Sequence, residues 1–264
     1  MSEANSAQAI VEFSRWFMAA TLGVNGALLL LGPRQFAAVC PHVSTRGLPA
    51  VDAQRICAAR GARQRREDVP AWYGVVAGLG SLGFAAACAA GVATPALWYA
   101  AAFLTFALVM GAAYTRVRAA AGKRVAVLNA RDPGSVVPPV WFAAAAGVAI
   151  AALVSSELRA PNWAAALIGA SALASTWIAF RVSAMPALLA GDDVAAERYV
   201  DERLRFGRTT AVLLLAFVQV FVFVMYDVGW PRNIPLALSV TLAWVGFSVW
   251  TIARKAGSRQ VALT

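Results

Sequence analysis

Residues 71–92 read AWYGVVAGLGSLGFAAACAAGV, twenty-two consecutive positions without an Asp, Glu, Lys or Arg. A helix needs about 20 apolar residues to cross the hydrocarbon layer of a bilayer, so this stretch spans by length alone. Its polarity is continuous, whereas a barrel strand alternates over about 10 residues. Only helices and closed barrels satisfy their backbone groups in lipid. The stretch is therefore read as a membrane helix.

Six more stretches outward from it also lack Lys and Arg: Trp16 to Leu31, Ala96 to Tyr114, Val140 to Val154, Trp163 to Phe180, Thr209 to Asp227 and Ile234 to Ile252. Apolar types make up 60% of the 264 residues and charged types only 14%, against about 25% in soluble domains. The expected fold is all-α: one polytopic transmembrane bundle over residues 1–264 with seven spans, interrupted by a long basic connection at 32–70. The count falls to six if the first stretch is interfacial. Extending that stretch backwards takes in Glu12 and Arg15, which can pair at i, i+3 on a helix. No positive segment precedes it, which argues against a cleaved signal peptide.

Orientation follows from the cations, since Lys and Arg of short loops stay on the cytoplasmic side. Connections one, three and five and the C-terminal tail carry twenty of the twenty-three basic residues and nine of the thirteen acids. The other side holds only Arg15, Arg159 and Arg232. The N-terminus is therefore expected outside and the C-terminus in the cytoplasm. Twenty-one Arg against two Lys, with heavy alanine use, suggests a GC-rich bacterial genome and a cytoplasmic membrane. Trp16, Trp98, Trp163 and Trp230 fall at expected outer ends, and Trp72, Trp141 and Trp250 at inner ends, as interfacial aromatics do. Trp177 and Trp244 lie deeper and are expected to pack between helices.

One internal repeat suggests itself. Ala62-Arg63, Val69-Pro70 and Trp72-Tyr73 return as Ala130-Arg131, Val137-Pro138 and Trp141-Phe142, a period of 68 that leads each time into a helical hairpin. A third hairpin follows Arg208-Thr209-Thr210 without the proline entry. The simpler account is that every membrane hairpin uses turn prolines and end aromatics. Helix association in lipid relies on close backbone approach, which Gly74 and Gly78 offer in G-x-x-x-G spacing, with Gly80 and Gly83 following. Cys88 reads as a small apolar packing residue.

Absences bound the chemistry. A single histidine, His42, excludes bis-histidine haem ligation and a two-His metalloprotease site within one chain. The last stretch has no lysine for a retinal Schiff base. Cys40, His42 and Cys57 form a weak alternative as a zinc set, in a spacing that matches no recognised pattern. No cofactor is expected. No ionisable group lies at mid-membrane, where coupled transport usually leaves one.

The acid-rich run Asp192 to Glu202 reads as a cytoplasmic extension of the sixth span, with Glu197, Asp201 and Arg205 on one charged stripe. Arg60, Arg63, Arg65 and Arg66 are candidates for contact with anionic lipid headgroups; nucleic acid is not an expected partner. The uncharged polar residues within the spans, Asn25, Ser171, Ser175, Gln219, Tyr226, Thr241 and Ser248, are the ligand-binding candidates. They suit an uncoupled transporter, channel or ligand-binding bundle for a small neutral or apolar solute. The alternative is a noncatalytic scaffold or accessory subunit whose basic cytoplasmic loops meet lipid or a protein partner; an embedded enzyme ranks third.

Overall fold

The long apolar stretches fold as helices because the backbone ladder of a helix leaves only its two ends unpaired. The structure, a computed structural model, describes residues 2–31, 45, 48–66, 71–92, 97, 100–101, 103–105, 107–108, 125–126, 136–157, 163–186, 188–189, 193–224 and 234–257. In chain order the elements are α1 (Ser2–Leu31), α2 (Ala50–Arg66), α3 (Ala71–Ala89), β1 (Val125–Ala126), α4 (Pro139–Glu157), α5 (Trp163–Ala184), β2 (Leu188–Leu189), α6 (Val194–Phe223) and α7 (Ile234–Gly257). The third apolar stretch is helical at its described positions between 97 and 108. Among the described residues four helices, at Ala71–Ala89, Leu167–Ala184, Val194–Phe221 and Ile234–Arg254, are long and apolar enough to cross a membrane, and α4 adds a shorter apolar one. The architecture is a helical membrane bundle.

Its outer surface is that of a protein solvated by lipid. Leu238, Leu242, Val245, Val249 and Ile252 recur every three or four residues along α7, and all are exposed. In water such a stripe would be an adhesive patch; in a bilayer it is the ordinary exterior. The centre belongs to α6, whose apolar stretch is 72% buried against 22% for α3 and α7. Around it Phe217 and Phe247 meet as a tilted pair at 5.6 Å, and Trp141 and Trp250 lie 5.2 and 5.7 Å from Phe247, the latter stacked on it. Trp244 packs on Phe221 at 5.3 Å. Trp177, expected between helices, is instead exposed, with the Arg181 guanidinium over its ring at 5.4 Å. Its indole faces outward because the buried side of α5 is taken by Ser171, Ser175 and Ala179.

α1 runs antiparallel to α3, its Arg15 to Leu30 part lying along the whole of the shorter helix. A Cβ at Gly26 would lie 2.9 Å from the carbonyl oxygen of Gly78, and one at Gly78 would lie 3.1 Å from that of Gly26. Gly74 meets the Leu29 carbonyl and Gly23 meets Ala85. Met18, Leu22 and Cys88 seal the same seam. Gly80 and Gly83 do not join it, since a Cβ at either would meet nothing within 4 Å; they lie on the opposite side of α3. At the far end Gly91, with φ +70°, closes α3 as a left-handed cap. Val92 N–H donates to Ala87 O and Gly91 N–H to Cys88 O. Arg15, paired with Glu12 at 3.1 Å, sits beside that cap, where a cation favours the helix C-terminus.

At the other end of the bundle the basic segments converge. α2 lies parallel to the first half of α6, with Ile56 and Ala59 packed on Ala196, Val200 and Leu204. β1 pairs antiparallel with β2, Val125 opposite Leu189, a two-residue ladder not anticipated from an all-α pattern. Arg254 of α7 lies over the rings of Phe206 and Trp250. α6 runs unbroken from Val194 to Phe223, as the extension of the sixth span requires. Thr209 and Thr210, where the first two hairpins have Val-Pro, keep every backbone N–H in the ladder.

Candidate functional site

A cavity of about 400 Å³ opens between α3, the third stretch and α5. From α3 come Trp72, Tyr73, Ser81 and Phe84; from the third stretch Leu104, Thr105 and Leu108; from α5 Leu167 and Ser171. Among the described residues of its wall no side chain is charged. Trp72 and Val76 on its rim are two-thirds exposed, so it opens sideways onto the apolar exterior. Gly80 forms part of the wall, which is why the space beside it is empty.

Behind the cavity lies a buried polar trio. Gln219 of α6 accepts a hydrogen bond from Ser171 Oγ at 2.5 Å and donates Nε2–H to Ser175 Oγ at 3.3 Å. Ser171 also reaches the Ile168 carbonyl at 3.0 Å. Ser171 is thus both cavity wall and first member of the trio. Three of the seven polar candidates meet here. Thr241 and Ser248 do not: each donates to a carbonyl four residues back on α7, Ala237 and Trp244 respectively, both at 2.8 Å. A hydroxyl on a helix in lipid satisfies itself that way when no partner faces it. Asn25 is half-buried on α1 next to Gly26 and does not line the cavity. Tyr226 lies outside the described residues.

The second site is ionic. Asp201, 1% exposed, accepts from Arg63 Nη2 at 3.0 Å and from Arg205 Nη2 at 2.9 Å. Arg205, fully buried, also donates to the Ser183 carbonyl at 3.3 Å. That carbonyl belongs to the last turn of α5, where acceptors lack helical partners. Glu197 pairs with Arg66. At the open edge Arg55 clasps Asp193 with both donors, Nε at 2.6 Å and Nη2 at 3.0 Å. Asp193 caps α6 by accepting from Ala196 N–H at 3.0 Å. The Arg55 hydrogen bond, followed by the Ala196 N–H, holds the Asp193 carboxyl below its ordinary range, and Asp193 raises Arg55 in turn.

The charged stripe of Glu197, Asp201 and Arg205 is therefore the face that receives α2. Of the four headgroup candidates, Arg63 and Arg66 are committed to Asp201 and Glu197, and Arg65 is exposed. Arg60 is half-buried. The sequence grouped all four by charge alone; the matching signal was the acid excess in Asp192 to Glu202. Of the zinc set, Cys57 is exposed, while Cys40 and His42 lie outside the described residues. Among the described residues no three metal-binding side chains gather. The α3 side of the wall, Trp72, Tyr73, Val76, Gly80 and Phe84, carries no sequence signal of a cleft, because a span rich in small and apolar residues reads as packing surface throughout.

Compared with protein families, characterised proteins and solved structures, the chain shows no significant match.

Proposed function

We propose that this chain is a seven-pass protein of a bacterial cytoplasmic membrane that binds a small neutral or apolar solute in the cleft between α3, the third stretch and α5. The cleft carries the reading. Its volume of about 400 Å³ falls in the range of roughly 300–1,000 Å³ typical of ligand sites. The described residues of its wall hold no charge, which suits an uncharged occupant. The Ser171, Ser175 and Gln219 trio stiffens the wall from behind.

The seven-span topology draws support from two features. α1 is 30 residues long, about 45 Å at 1.5 Å per residue, and its Arg15 to Leu29 part follows α3 from the Gly91 end to the Gly74 end, which favours a full crossing. Connections one, three and five and the end of α7 meet at one pole, through α2 on α6, β1 on β2 and Arg254 on Phe206. Retention of cations inside makes that pole cytoplasmic. The exposed Arg65 is then placed to meet anionic headgroups.

The alternative, a scaffold or accessory subunit, takes its support from the same pole, where α2 offers a partner the face turned away from α6. Ligand capture separates the two. In nanodiscs, a brominated hydrocarbon should quench tryptophan fluorescence saturably, and the Trp72→Phe variant should lose most of that quenching. Quenching that rises linearly with concentration, as partition into lipid does, would favour the scaffold.

A further inference from the structure

We infer that the occupant of the cleft is one acyl chain of a phospholipid, lying lengthwise between α3 and the third stretch with its headgroup at the basic pole; this rests on the ligand-binding reading above. The shape carries the inference. On α3 the wall takes Trp72, Val76, Gly80 and Phe84, one residue per turn of the same face, and on the third stretch Leu97, Ala101, Leu104 and Leu108. From Trp72 to Phe84 the helix rises about 18 Å. Half of a hydrocarbon layer about 30 Å thick is about 15 Å, so the cleft has the length of a chain from one leaflet. A volume of about 400 Å³ drawn out over about 18 Å is a slot of about 22 Å² in section, the girth of a single alkyl chain. Ala77, Gly80, Ala100 and Ala101 make room at its middle, where a Cβ at Gly80 would meet nothing within 4 Å.

The surface of the cleft is almost wholly apolar. Ser171, which the wall shares with the polar trio, directs its hydroxyl to Gln219 and the Ile168 carbonyl. A solute with hydrogen-bonding groups of its own would give up water and gain no partner in such a slot, whereas a run of methylenes gives up nothing. A compact apolar solute would leave most of the length unfilled. Val76, Phe84, Leu108 and Leu167 are exposed along the mouth, so it opens sideways onto lipid and a chain can enter while its headgroup stays at the interface. Two features put that headgroup at the basic pole. Trp72 stands in the first turn of α3, directly after the basic helix α2, and tryptophan favours the headgroup level. At the other end the α3 side of the wall stops at Phe84, five residues before the helix closes at Ala89. Arg65, exposed near the end of α2, supplies a cation for a phosphate on that side.

The test uses the full-length protein in phosphatidylcholine nanodiscs with two brominated probes: a phosphatidylglycerol carrying bromines on one acyl chain, and bromobenzene as a compact apolar solute. The signal is the tryptophan quenching that disappears in Trp72→Phe. The brominated lipid should quench saturably, with its half-maximum at a lower mole fraction than bromobenzene requires. Bromines near the ester carbonyl should contribute more to this saturable part than bromines near the chain end, because Trp72 stands at the mouth. The reverse order would put the headgroup at the other pole and overturn the inference. Gly80→Leu fills the middle of the slot and should abolish the saturable part. Gly83→Leu, equally open but outside the cavity wall, should preserve it. If the lipid quenches in simple proportion to its mole fraction while bromobenzene saturates, the acyl-chain inference is overturned and the binding reading stands. If neither probe saturates, or Gly80→Leu leaves saturation intact, both are overturned.

Discussion

Asp201 is the residue on which the polar end of the bundle turns. Two buried guanidiniums, from Arg63 and Arg205, share its two oxygens. Replacing a partner in a buried ion pair leaves uncompensated charge and costs about 3–5 kcal/mol. Asp201→Asn should accordingly lower the thermal unfolding midpoint in detergent and expose α2 to proteolysis first. A variant with wild-type stability would mean that Arg63 and Arg205 find other partners. Asp193 behaves differently, because it is partly exposed and its clasp with Arg55 is screened by solvent. Its carboxyl is held below the ordinary value by the Arg55 hydrogen bond and then by the Ala196 N–H. The clasp's contribution is therefore complete above the unfolded carboxylate range, near pH 4, and is lost as pH falls through the lowered value. Proteolysis of α2 should be flat from about pH 8 to 5 and accelerate only below about pH 4. In Asp193→Asn the part of that acid limb owed to this clasp should disappear.

Among the elements, the α1–α3 pair gives the cleanest test of packing, because its own glycines supply the control. Gly26 and Gly78 each face a backbone carbonyl that cannot retreat like a side chain, whereas Gly83 faces open space. Gly78→Ala should loosen α1 and lower the unfolding midpoint. Gly83→Ala should leave it unchanged or raise it slightly, since alanine favours helix by about 1 kcal/mol over glycine. Comparable effects from both would contradict the seam described. The G-x-x-x-G spacing was readable in the sequence, but not which glycines pack, because a helix has several small faces and only the neighbour selects one. The same limit applies to the polar candidates. Gln219, Ser171 and Ser175 are legible as amide and hydroxyls in lipid; that they bond to each other depends on the register of α5 against α6. The start of α6 was legible too, because the Asp192 to Glu202 stripe has helical spacing. Its partner α2 was seen only as a basic run, since charge reveals a need for counter-ions without saying which carboxylates meet it.

For the whole molecule, hydropathy, proline placement and charge carried most of the information. Long uncharged stretches became helices, and the basic connections meet at one pole. The cleft was not legible, because an apolar cavity is a space left between helices and has no sequence signature of its own. The central claim is that the chain crosses the bilayer repeatedly with its basic pole in the cytoplasm. Cysteine accessibility tests it most directly, with Cys40 replaced by serine, Cys88 by alanine and the exposed native Cys57 on α2 as the inner reporter. Asn162→Cys, in a chain that also lacks Cys57, serves as the outer one. In intact cells a membrane-impermeant maleimide should label position 162 at once and Cys57 only after permeabilisation. Prompt labelling of Cys57 in sealed cells, with position 162 protected, would contradict the account.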